Sequence, residues 1–410
     1  MRATTMLSRI LGIKKTLVRK VSFVDGALVA DVVPTTDVPR CSGCGCRTRA
    51  VHDRRARTWR HLDVAGMQLK LRYRLRRVRC KRCGIVVELI PWAPPGSWFT
   101  TAFEDMIGYL AQHAAKTIVA GMMRIAWATV GAIIERVVAR RGPRDLLDDL
   151  VDIGVDELSY RRHHEYITVV VDHGTGRVVW AAPGKNADTL RSFFRELGGE
   201  RCAKLKNVTI DMSAAYIAAV KEAAPGAQIV FDKFHVQRLA HAALDEVRRA
   251  EVRESRDPAT KAALKHSRFA LQKNPWNMND IEHEKVSQVQ RTNKWLYRAY
   301  LLKESLAEVL ARRQPNVARE KLVEWTDWGA RSKLKPFVRV AKTVRKHLEG
   351  IVAYIATGLT NARSEGTNGK VRTITRRSYG FHGASSLIAM VFLCCSGMVL
   401  TPVFNVASTH

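Results

Sequence analysis

Acidic residues are scarce in this 410-residue chain. Only 38 Asp and Glu stand against 68 Lys and Arg, so the formal net charge at pH 7 is +30. This imbalance argues against a cationic partner and predicts binding to a polyanion such as nucleic acid. Because 46% of the residues are apolar, a globular core is within reach, and the length predicts two to four domains.

Long uninterrupted apolar runs are also missing. The stretch from Ala384 to Phe404 approaches membrane-spanning length, but serines, a glycine and a proline interrupt it: Ser385, Ser386, Ser396, Gly397 and Pro402. We therefore expect no membrane segment and interpret this stretch as a helix buried against a sheet. The first twenty residues carry scattered apolar residues and several cations without the pattern of a signal peptide. A cytoplasmic protein associated with the nucleoid is expected.

Cysteines are few outside one region, since five of the eight lie between Cys41 and Cys83. In a chain without an export signal, such clustering points to a metal site and not to disulfides. Four of them form two C-x₂-C pairs, Cys41 with Cys44 and Cys80 with Cys83. This spacing predicts one structural zinc ion held by four thiolates. Cys46 or His52 could replace one ligand, and the spacing alone leaves that alternative open.

A strongly basic segment connects the two cysteine pairs. Alternate residues from Leu69 to Leu75 are apolar or aromatic, which predicts a β-strand with one buried face. Fourteen Lys or Arg stand against three acids between Cys41 and Ile90. We expect the opposite, cationic face to contact DNA phosphates. Its candidate residues are Arg72, Arg74, Arg76 and Arg79.

Helical periodicity follows a proline-rich break after this module. The pattern predicts three short helices between Thr101 and Arg141. Three tightly connected helices favour a helix-turn-helix whose third helix enters a major groove, with Trp127 and Thr129 as candidate DNA contacts. A plain helical bundle has the same periodicity and is the alternative.

Two carboxylates stand at the ends of apolar, β-branched runs. Residues 151–155 precede Asp156 and residues 208–210 precede Asp211, which is the pattern of central strands. A carboxylate in such a place is costly to desolvate and is usually paired or bound to a cation. A hairpin around residues 173–176, followed by alternating helix and strand, fits a ribonuclease H-like mixed sheet. In that fold the first and fourth strands are neighbours, so Asp156 and Asp211 are expected to meet.

A third acid, Glu365, lies far downstream in a polar, helix-like segment. Asn368 shares its helix face by i, i+3 spacing, and a group of cations follows: Lys370, Arg372, Arg376 and Arg377. A helix that presents one acid to metal and several cations to phosphate suits DNA strand cleavage. A salt-bridged surface acid is the simpler alternative.

Together the three acids predict a metal site. Mg²⁺ prefers oxygen ligands and keeps positions for water and substrate oxygens. Two such ions about 3.5–4 Å apart activate the attacking oxygen and stabilise the leaving one. We therefore interpret Asp156, Asp211 and Glu365 as ligands of two Mg²⁺ ions, with Mn²⁺ as the alternative metal.

Two further features lie between these acids. Asp232 and His235, at i, i+3 spacing, fit residues that orient a metal ligand, or a helix cap, better than they fit direct ligands. From Val236 to about Gly350 the pattern predicts charged helices. Their tryptophans are interpreted mainly as core, and Trp295, which has cationic neighbours, is the candidate for stacking on an unpaired base.

Taken in order, these motifs resemble those of bacterial insertion-sequence transposases of the ISL-three family, which have a DDE-type, ribonuclease H-like core. The resemblance spans nearly the whole chain and is carried by the C-x₂-C pairs and by residues 125–130, 154–157, 210–213, 231–236, 361–368 and 379–381. It implies that Asp156, Asp211 and Glu365 are the catalytic acids and that Val236 to about Gly350 is an all-helical insertion. It also implies that Asp232 and His235 match a motif near the second aspartate of related transposases. Family members cut element ends and join the freed 3′-hydroxyls to target DNA.

We therefore predict a multidomain α+β protein. Its expected segments are a zinc-binding module (1–95), a helix-turn-helix domain (96–148), the first part of a ribonuclease H-like mixed α/β core (149–236), an all-helical insertion (237–350), and the second part of the core with the catalytic glutamate (351–410).

The predicted activity is binding of terminal inverted repeats followed by Mg²⁺-dependent strand cleavage and strand transfer. Because two ends must be held together, we expect a homodimer or larger assembly on double-stranded DNA. Two alternatives stay open. One is a structure-selective nuclease on the same fold, and the other is a domesticated or inactive transposase that acts as a DNA-binding regulator.

Overall fold

The computed structural model describes residues 3–161, 165–359, 362–377, 381 and 383–402, and for residues 3, 161, 362–365 and 368 it describes the backbone alone. The chain divides into two compact units. The first is built mainly from residues up to Gly142, and the second mainly from Pro143–Val391.

The first unit begins with a short helix, which is followed along the chain by a mixed five-stranded sheet. Its elements are α1 (Ala3–Leu11), β1 (Thr16–Val24), β2 (Ala27–Pro34), β3 (Val51–Val64), β4 (Met67–Cys80) and β5 (Gly84–Val87). The strand order is β1-β2-β4-β3, with β5 paired to β4. Only β2 and β4 run parallel. The predicted alternation holds in β4, because Leu69, Leu71 and Leu75 pack in a core with Trp59 and Trp92.

Three helices follow in the same unit. They are α2 (Thr101–His113), α3 (Lys116–Met123) and α4 (Trp127–Arg141). Thr100 caps α2 by accepting the N–H of Phe103, and α3 ends at Arg124 in the left-handed conformation. The chain then bends by 100° between α3 and α4. A short turn between helices at this angle is a helix-turn-helix, which excludes the plain bundle.

The apolar helices in the described residues are short or sharply bent. No single helix there is long and apolar enough to cross a membrane, and α3 with α4 passes by length and composition only as a sharply bent pair. The apolar stretch near the C-terminus forms a helix of twelve residues, α17 (Ala384–Cys395).

The second unit is organised around another five-stranded sheet. Its strands and the helices between them are β6 (Asp152–Arg161), β7 (Glu165–Asp172), β8 (Val178–Pro183), α5 (Ala187–Leu197), α6 (Gly199–Cys202), β9 (Asn207–Ile210), α7 (Ala214–Ala223) and β10 (Gln228–Phe231). The order is β10-β9-β6-β7-β8. Strands β6, β9 and β10 are parallel, whereas β6–β7 and β7–β8 are antiparallel. Ile153 and Val155 face the core formed with α5 and α7.

The rest of this unit is helical. Its elements are α8 (Lys233–Glu254), α9 (Pro258–His266), α10 (Arg268–Gln272), a 3₁₀ turn (Pro275–Asn277), α11 (Asp280–Thr292), α12 (Lys294–Leu310), α13 (Pro315–Arg331), α14 (Lys335–Lys346), α15 (Leu348–Thr357) and α16 (Ala362–Arg377). On the sheet face opposite α5 and α7, α15 packs on β10 through Val230, Ala353 and Tyr354. Helix α16 contacts β6.

The interpretation of the tryptophans in these helices as mainly core is wrong. Trp325 is 3% exposed, but Trp276, Trp295 and Trp328 are 76%, 44% and 37% exposed. Trp276 lies in the 3₁₀ turn, which has no buried residue. A tryptophan in a short turn has no second element to pack against, so its apolar character alone does not place it inside.

Candidate functional site

Asp156 and Asp211 occupy equivalent positions on neighbouring parallel strands. The last registered pair of β6 and β9 is Gly154 with Thr209, and each aspartate lies two residues further along. Asp156 is still within β6, and Asp211 directly follows the last residue of β9. The Glu157 N–H donates to Asp156 Oδ1 at 2.7 Å. The two aspartates therefore share one level across neighbouring strands, as the sequence predicts.

Each of these carboxylates is held by the backbone that follows it. Asp211 comes directly after β9, and its Oδ1 accepts the N–H of Ser213 at 2.9 Å. Both aspartates are half-buried. Such bonds fix the orientation of a carboxylate without removing it from solvent, which suits a ligand for a cation.

The helix that carries the third acid packs on the strand that carries the first. Glu365 is in the first turn of α16, and α16 contacts β6. The backbones of Glu365 and Asn368 belong to this helix, but their side chains lie outside the described part of the chain. Residues 361, 379 and 380 of the family motifs also lie outside it.

A cleft of about 260 Å³ separates α16 from β6. Arg372 and Arg376 line it from the helix, and Glu157 lines it from the strand. Lys370 is exposed on the same helix, and Arg377 is half-buried. Two of the predicted phosphate contacts therefore stand beside the strand of Asp156.

Glu157 is a further candidate for the site and was not among the residues predicted from sequence. It is half-buried and hydrogen-bonds the Tyr216 hydroxyl. Burial raises the pKa of Glu157, and the neighbouring charges of Asp211 and Asp156 add to the rise, while Tyr216 and Lys185 oppose it. Its place directly after Asp156 in the motif at 154–157 was the available signal.

Tyr216 connects this acid to the rest of the sheet. It is 1% exposed, and its hydroxyl lies 3.0 Å from Thr168 Oγ1. Thr168 in turn donates to the carbonyl of Gly184 at 2.8 Å. The network ties α7, which follows Asp211, to strand β7.

Asp232 lies beside Asp211 at the end of the next strand. Phe231 pairs with Ile210, so the residues after them are neighbours. Asp232 is 1% exposed and caps α8, because its Oδ1 accepts the N–H of Phe234 at 3.0 Å. Of the roles considered for Asp232, the structure shows the cap. The half-buried His235 follows in the first turn of that helix.

The four paired cysteines come together in the first unit. Their sulfur atoms all lie within 4.8 Å of one another, and the cluster consists of Cys41, Cys44, Cys80 and Cys83. Tetrahedral zinc with Zn–S bonds of about 2.3 Å sets S–S distances of roughly 3.8 Å, so the cluster fits this ion. Backbone N–H groups of Arg82 and Cys83 lower the pKa of the Cys80 thiol to about 6. The thiolate form is therefore favoured at Cys80, whereas hydrogen bonds with Cys44 and Cys41 raise the pKa of Cys83 to about 12.

Neither alternative ligand belongs to this cluster. Cys46 is exposed, and the ring of His52 accepts a hydrogen bond from Arg79 at 3.4 Å. Within the described residues, the cysteine cluster is the one group of three or more His, Cys, Asp or Glu that could hold a metal ion.

Some arginines of β4 form ion pairs with acids of the same module, which the sequence does not indicate. Arg72 donates to both carboxylate oxygens of Asp31, at 2.6 and 2.9 Å. Arg76 donates to Glu88 at 2.8 Å, and Glu88 is 2% exposed. Arg74 is exposed and takes part in neither pair. Two of the four predicted phosphate contacts are therefore neutralised by acids of the same module.

The predicted contacts of the helix-turn-helix are partly enclosed. Lys116 Nζ lies 3.6 Å from the ring centroid of Trp127, and both Trp127 and Thr129 are half-buried. In the second unit Trp295 is exposed, and the Arg298 guanidinium lies 5.2 Å from its ring centroid. Trp295 is thus accessible for stacking, whereas Trp127 is fixed by a cation–π contact.

The structure contains four features that bear on function. They are a four-cysteine cluster, a helix-turn-helix, acids at one level of a mixed sheet, and cations near those acids. They define a DNA-binding enzyme that cuts phosphodiester bonds. Comparison with known families agrees. A family described as a transposase matches residues 153–391, the zinc-finger of transposase IS204/IS1001/IS1096/IS1165 matches residues 37–83, and the helix-turn-helix domain of transposase family ISL3 matches residues 88–138.

The chain belongs to the ISL3 family of transposases. It is 38% identical to the transposase for insertion sequence element IS1557 from two strains of Mycobacterium tuberculosis, over 97% of this chain and 96% of the relative. It is 28% identical to the transposase for insertion sequence element IS1001 of Bordetella parapertussis, over 85% of this chain and 86% of the relative. It is a DDE-type enzyme of DNA cleavage and strand transfer, with a zinc ribbon and a DNA-binding helix-turn-helix.

Proposed function

We propose that the second unit is a ribonuclease H-like core in which Asp156, Asp211 and Glu365 hold two Mg²⁺ ions, with Mn²⁺ as a substitute. One observation carries this proposal: the register of β6 with β9 sets two carboxylates at the same level, and the helix of the third acid contacts β6. Oxygen ligands from carboxylates fit Mg²⁺. When bound, the ions activate the attacking oxygen and stabilise the leaving one.

The sheet topology supports the same assignment. In chain order, β6 to β10 are strands one to five, and their spatial order is 5-4-1-2-3. The antiparallel first three strands and the parallel fourth and fifth match the expectation from sequence. Residues 237–350 would then be the helical insertion between the two parts of the core, 149–236 and 351–410.

The chain's own residues orient the substrate. Backbone N–H groups hold the carboxylates of Asp156 and Asp211, so their geometry is set before DNA binds. Arg372 and Arg376 face the cleft beside β6, where they would contact the phosphates that flank the cut. Asp232 and His235 would support Asp211 from the neighbouring strand end and helix.

The first unit would bind the terminal inverted repeats of the element. A zinc module with positive charge supplies phosphate contacts, and the helix-turn-helix supplies contacts in the major groove. Since two ends must be cut and joined together, a homodimer or larger assembly on DNA completes the proposal. Trp295, which is 44% exposed, would stack on an unpaired base.

The test is a cleavage and strand-transfer assay on labelled DNA that carries the element's own ends. Asp211→Asn and Glu365→Gln should reduce cleavage by more than the roughly 10- to 100-fold typical of residues that only support a metal ligand. Binding of the ends should be nearly unchanged. Asp188→Asn, a control whose side chain is 82% exposed on α5, should cleave like the wild type.

Two results would contradict the proposal. Full cleavage by Asp211→Asn or Glu365→Gln would remove that acid from the site. Specific binding without cleavage by the wild type, in Mg²⁺ and in Mn²⁺, would favour a regulator that has lost its chemistry.

A further inference from the structure

The zinc module has a second group of cations that the sequence does not single out, and it borders the predicted strand, since Arg76 donates to the carbonyl of Asp37 at 2.8 Å. The group lies around a cleft of about 460 Å³, here called the knuckle cleft. Three cations line it, Lys15, Arg40 and Arg47, together with a single carboxylate, Asp37. Prolines and aliphatic side chains form the rest of its wall. Cations beside an apolar wall suit a sugar–phosphate backbone, whose phosphates are anionic and whose sugars are weakly polar.

The charges of the knuckle cleft are available, whereas three arginines of β4, Arg72, Arg76 and Arg77, are paired with acids. Lys15 and Arg47 are exposed and form no side-chain hydrogen bond or ion pair within the described residues. Arg40 donates to the carbonyl of Gly45 at 3.3 Å, which leaves its charge uncompensated. Arg72, by contrast, is held by both oxygens of Asp31. A phosphate would have to break that charge-assisted pair before gaining a contact.

The zinc knuckle fixes two of the three cations. Arg40 directly precedes the ligand Cys41, and Arg47 follows the same loop. Arg40 and Arg47 form an isolated antiparallel bridge, and the Cys41 N–H donates to the carbonyl of Cys46 at 2.8 Å. The Leu89 N–H donates to the carbonyl of Arg40 at 2.8 Å. These backbone bonds hold the two arginines beside the cysteine cluster at the edge of the cleft.

Lys15 is fixed from the opposite side of the cleft. It adopts a left-handed conformation (φ 59°) immediately before β1, and its carbonyl accepts the N–H of Thr35 at 3.0 Å. This bond joins the start of β1 to the end of β2. The backbone that carries each cation is thus ordered by bonds within the module.

We propose that the knuckle cleft is the main phosphate-contact site of the zinc module, and that it seats the backbone of duplex DNA against Lys15, Arg40 and Arg47. This inference rests on the proposed recognition of element ends. Contacts to phosphate position a protein without reading bases. The cleft would therefore set the register of the module while the helix-turn-helix reads sequence.

The test is the salt dependence of DNA binding by the full-length protein. Each phosphate contact contributes about 0.9 to the slope of log K against log salt. Arg47→Gln and Lys15→Gln should each reduce the slope by about 0.9, equally for an element end and for an unrelated duplex. Arg72→Gln is the matched control, since it removes the same formal charge but should leave the slope unchanged.

Charge-preserving variants separate contact from folding. Arg47→Lys should keep the wild-type slope, and zinc content should be the same in every variant. If Arg47→Gln loses zinc, Lys15→Gln provides the same test from outside the knuckle. A reduced slope for Arg72→Gln with unchanged slopes for Lys15→Gln and Arg47→Gln would overturn the proposal and return the contact to β4.

The two proposals fail in different ways. If the wild type shows no preference for element ends, end recognition fails, yet the slopes on unrelated duplex still test the cleft. If ends are preferred and the slopes of the cleft variants match the wild type, only the cleft is wrong.

Discussion

At the scale of single residues, Glu157 and Tyr216 join the two strands that carry the aspartates. Glu157 points to the face of β6 opposite Asp156, because adjacent residues of a strand alternate. There it meets Tyr216 in α7, the helix that follows Asp211. The bond therefore limits movement of the segment that presents Asp211.

We expect Tyr216→Phe to weaken Mg²⁺ binding at the proposed site and to lower the free energy of unfolding. The change keeps the buried ring but leaves Glu157 without its hydroxyl partner, which costs about 1–2 kcal/mol. The Mg²⁺ concentration for half-maximal cleavage should rise. The control is Tyr300→Phe in α12, which loses a similar bond to Glu304. It should lower stability without changing the Mg²⁺ requirement, and equal Mg²⁺ titrations for both variants would contradict this role.

The buried His61 should make the stability of the first unit depend on pH. Its side chain is 5% exposed, and Nδ1 lies 2.7 Å from Thr100 Oγ1. Burial lowers the pKa of His61 to about 4, and the charge of Arg60 adds to this effect. The unfolded chain, with a pKa of about 6.5, takes up the proton first as the pH falls. Stability contributed by neutral His61 is therefore present above pH 6.5 and is lost as the pH falls toward 4.

Urea unfolding followed by tryptophan fluorescence measures this loss. Between pH 7.5 and pH 5 the first unit should lose about 2 kcal/mol of unfolding free energy through His61. His61→Gln should flatten this part of the profile, whereas a change at the exposed His113 should not. The same slope in His61→Gln as in the wild type would assign the effect to another group.

At the scale of elements, the contact of α15 with β10 depends on a glycine. A Cβ at Gly350 would overlap the ring of Phe231 and lie 3.0 Å from the carbonyl of Ile229. Only a residue without a side chain lets the helix approach the strand this closely. The contact holds α15 against β10, the edge strand of the sheet.

We expect Gly350→Ala to reverse the usual effect of this substitution. In a helix, Gly to Ala normally stabilises by roughly 0.5–1 kcal/mol, but overpacking here should destabilise by about 1–3 kcal/mol. Gly369→Ala in α16, where a Cβ would meet nothing within 4 Å, is the control and should be neutral or stabilising. Equal stability gains from both changes, measured by urea unfolding, would show that α15 can move away from β10.

Buried ion pairs join two helices of the helix-turn-helix region. Glu104 in α2 is fully buried and accepts from Arg136 Nε and Arg140 Nη1 of α4, each at 2.7 Å. Arg136 and Arg140 therefore hold α4 against α2, although their charge alone would suit contacts to DNA. Removing one partner of such a pair leaves an uncompensated charge, so these arginines are structural first.

At the scale of the whole molecule, the two units have separate hydrophobic cores and separate metal requirements. One core lies around Trp59 and Trp92, and the other joins the second sheet to the helices. Zinc belongs to the first unit alone, because all four cysteines of the cluster are there. Removal of zinc should therefore destabilise the first unit and leave the stability of the second unit unchanged.

Calorimetry with and without a zinc chelator tests this separation. We expect about one zinc ion per chain, and chelation should lower the unfolding temperature of the first unit and weaken DNA binding. The transition of the second unit should stay in place. Cys80→Ser should reproduce chelation, and the exposed Cys46→Ser should not. A zinc content unaffected by Cys80→Ser would remove this residue from the ligand set.

The sequence by itself determined the features that depend on local periodicity and spacing. The alternation in β4 marks its buried face, the C-x₂-C pairs predict a zinc site, and the order of the motifs indicates the transposase family. Each of these signals lies within a few residues, or repeats with the period of a strand or helix. They can be recognised before any long-range contact is known.

The tertiary structure decided what depends on partners distant in the chain. Asp31 neutralises Arg72 from 41 residues away, so no local pattern shows that this arginine is engaged. The register of β6 with β9 sets the level of Asp156 and Asp211, and tertiary packing brings α16, the helix that contains Glu365, into contact with β6. Exposure of Trp276 likewise follows from the surface turn in which it lies. Such outcomes depend on which surfaces meet after folding, and side-chain chemistry alone does not specify them.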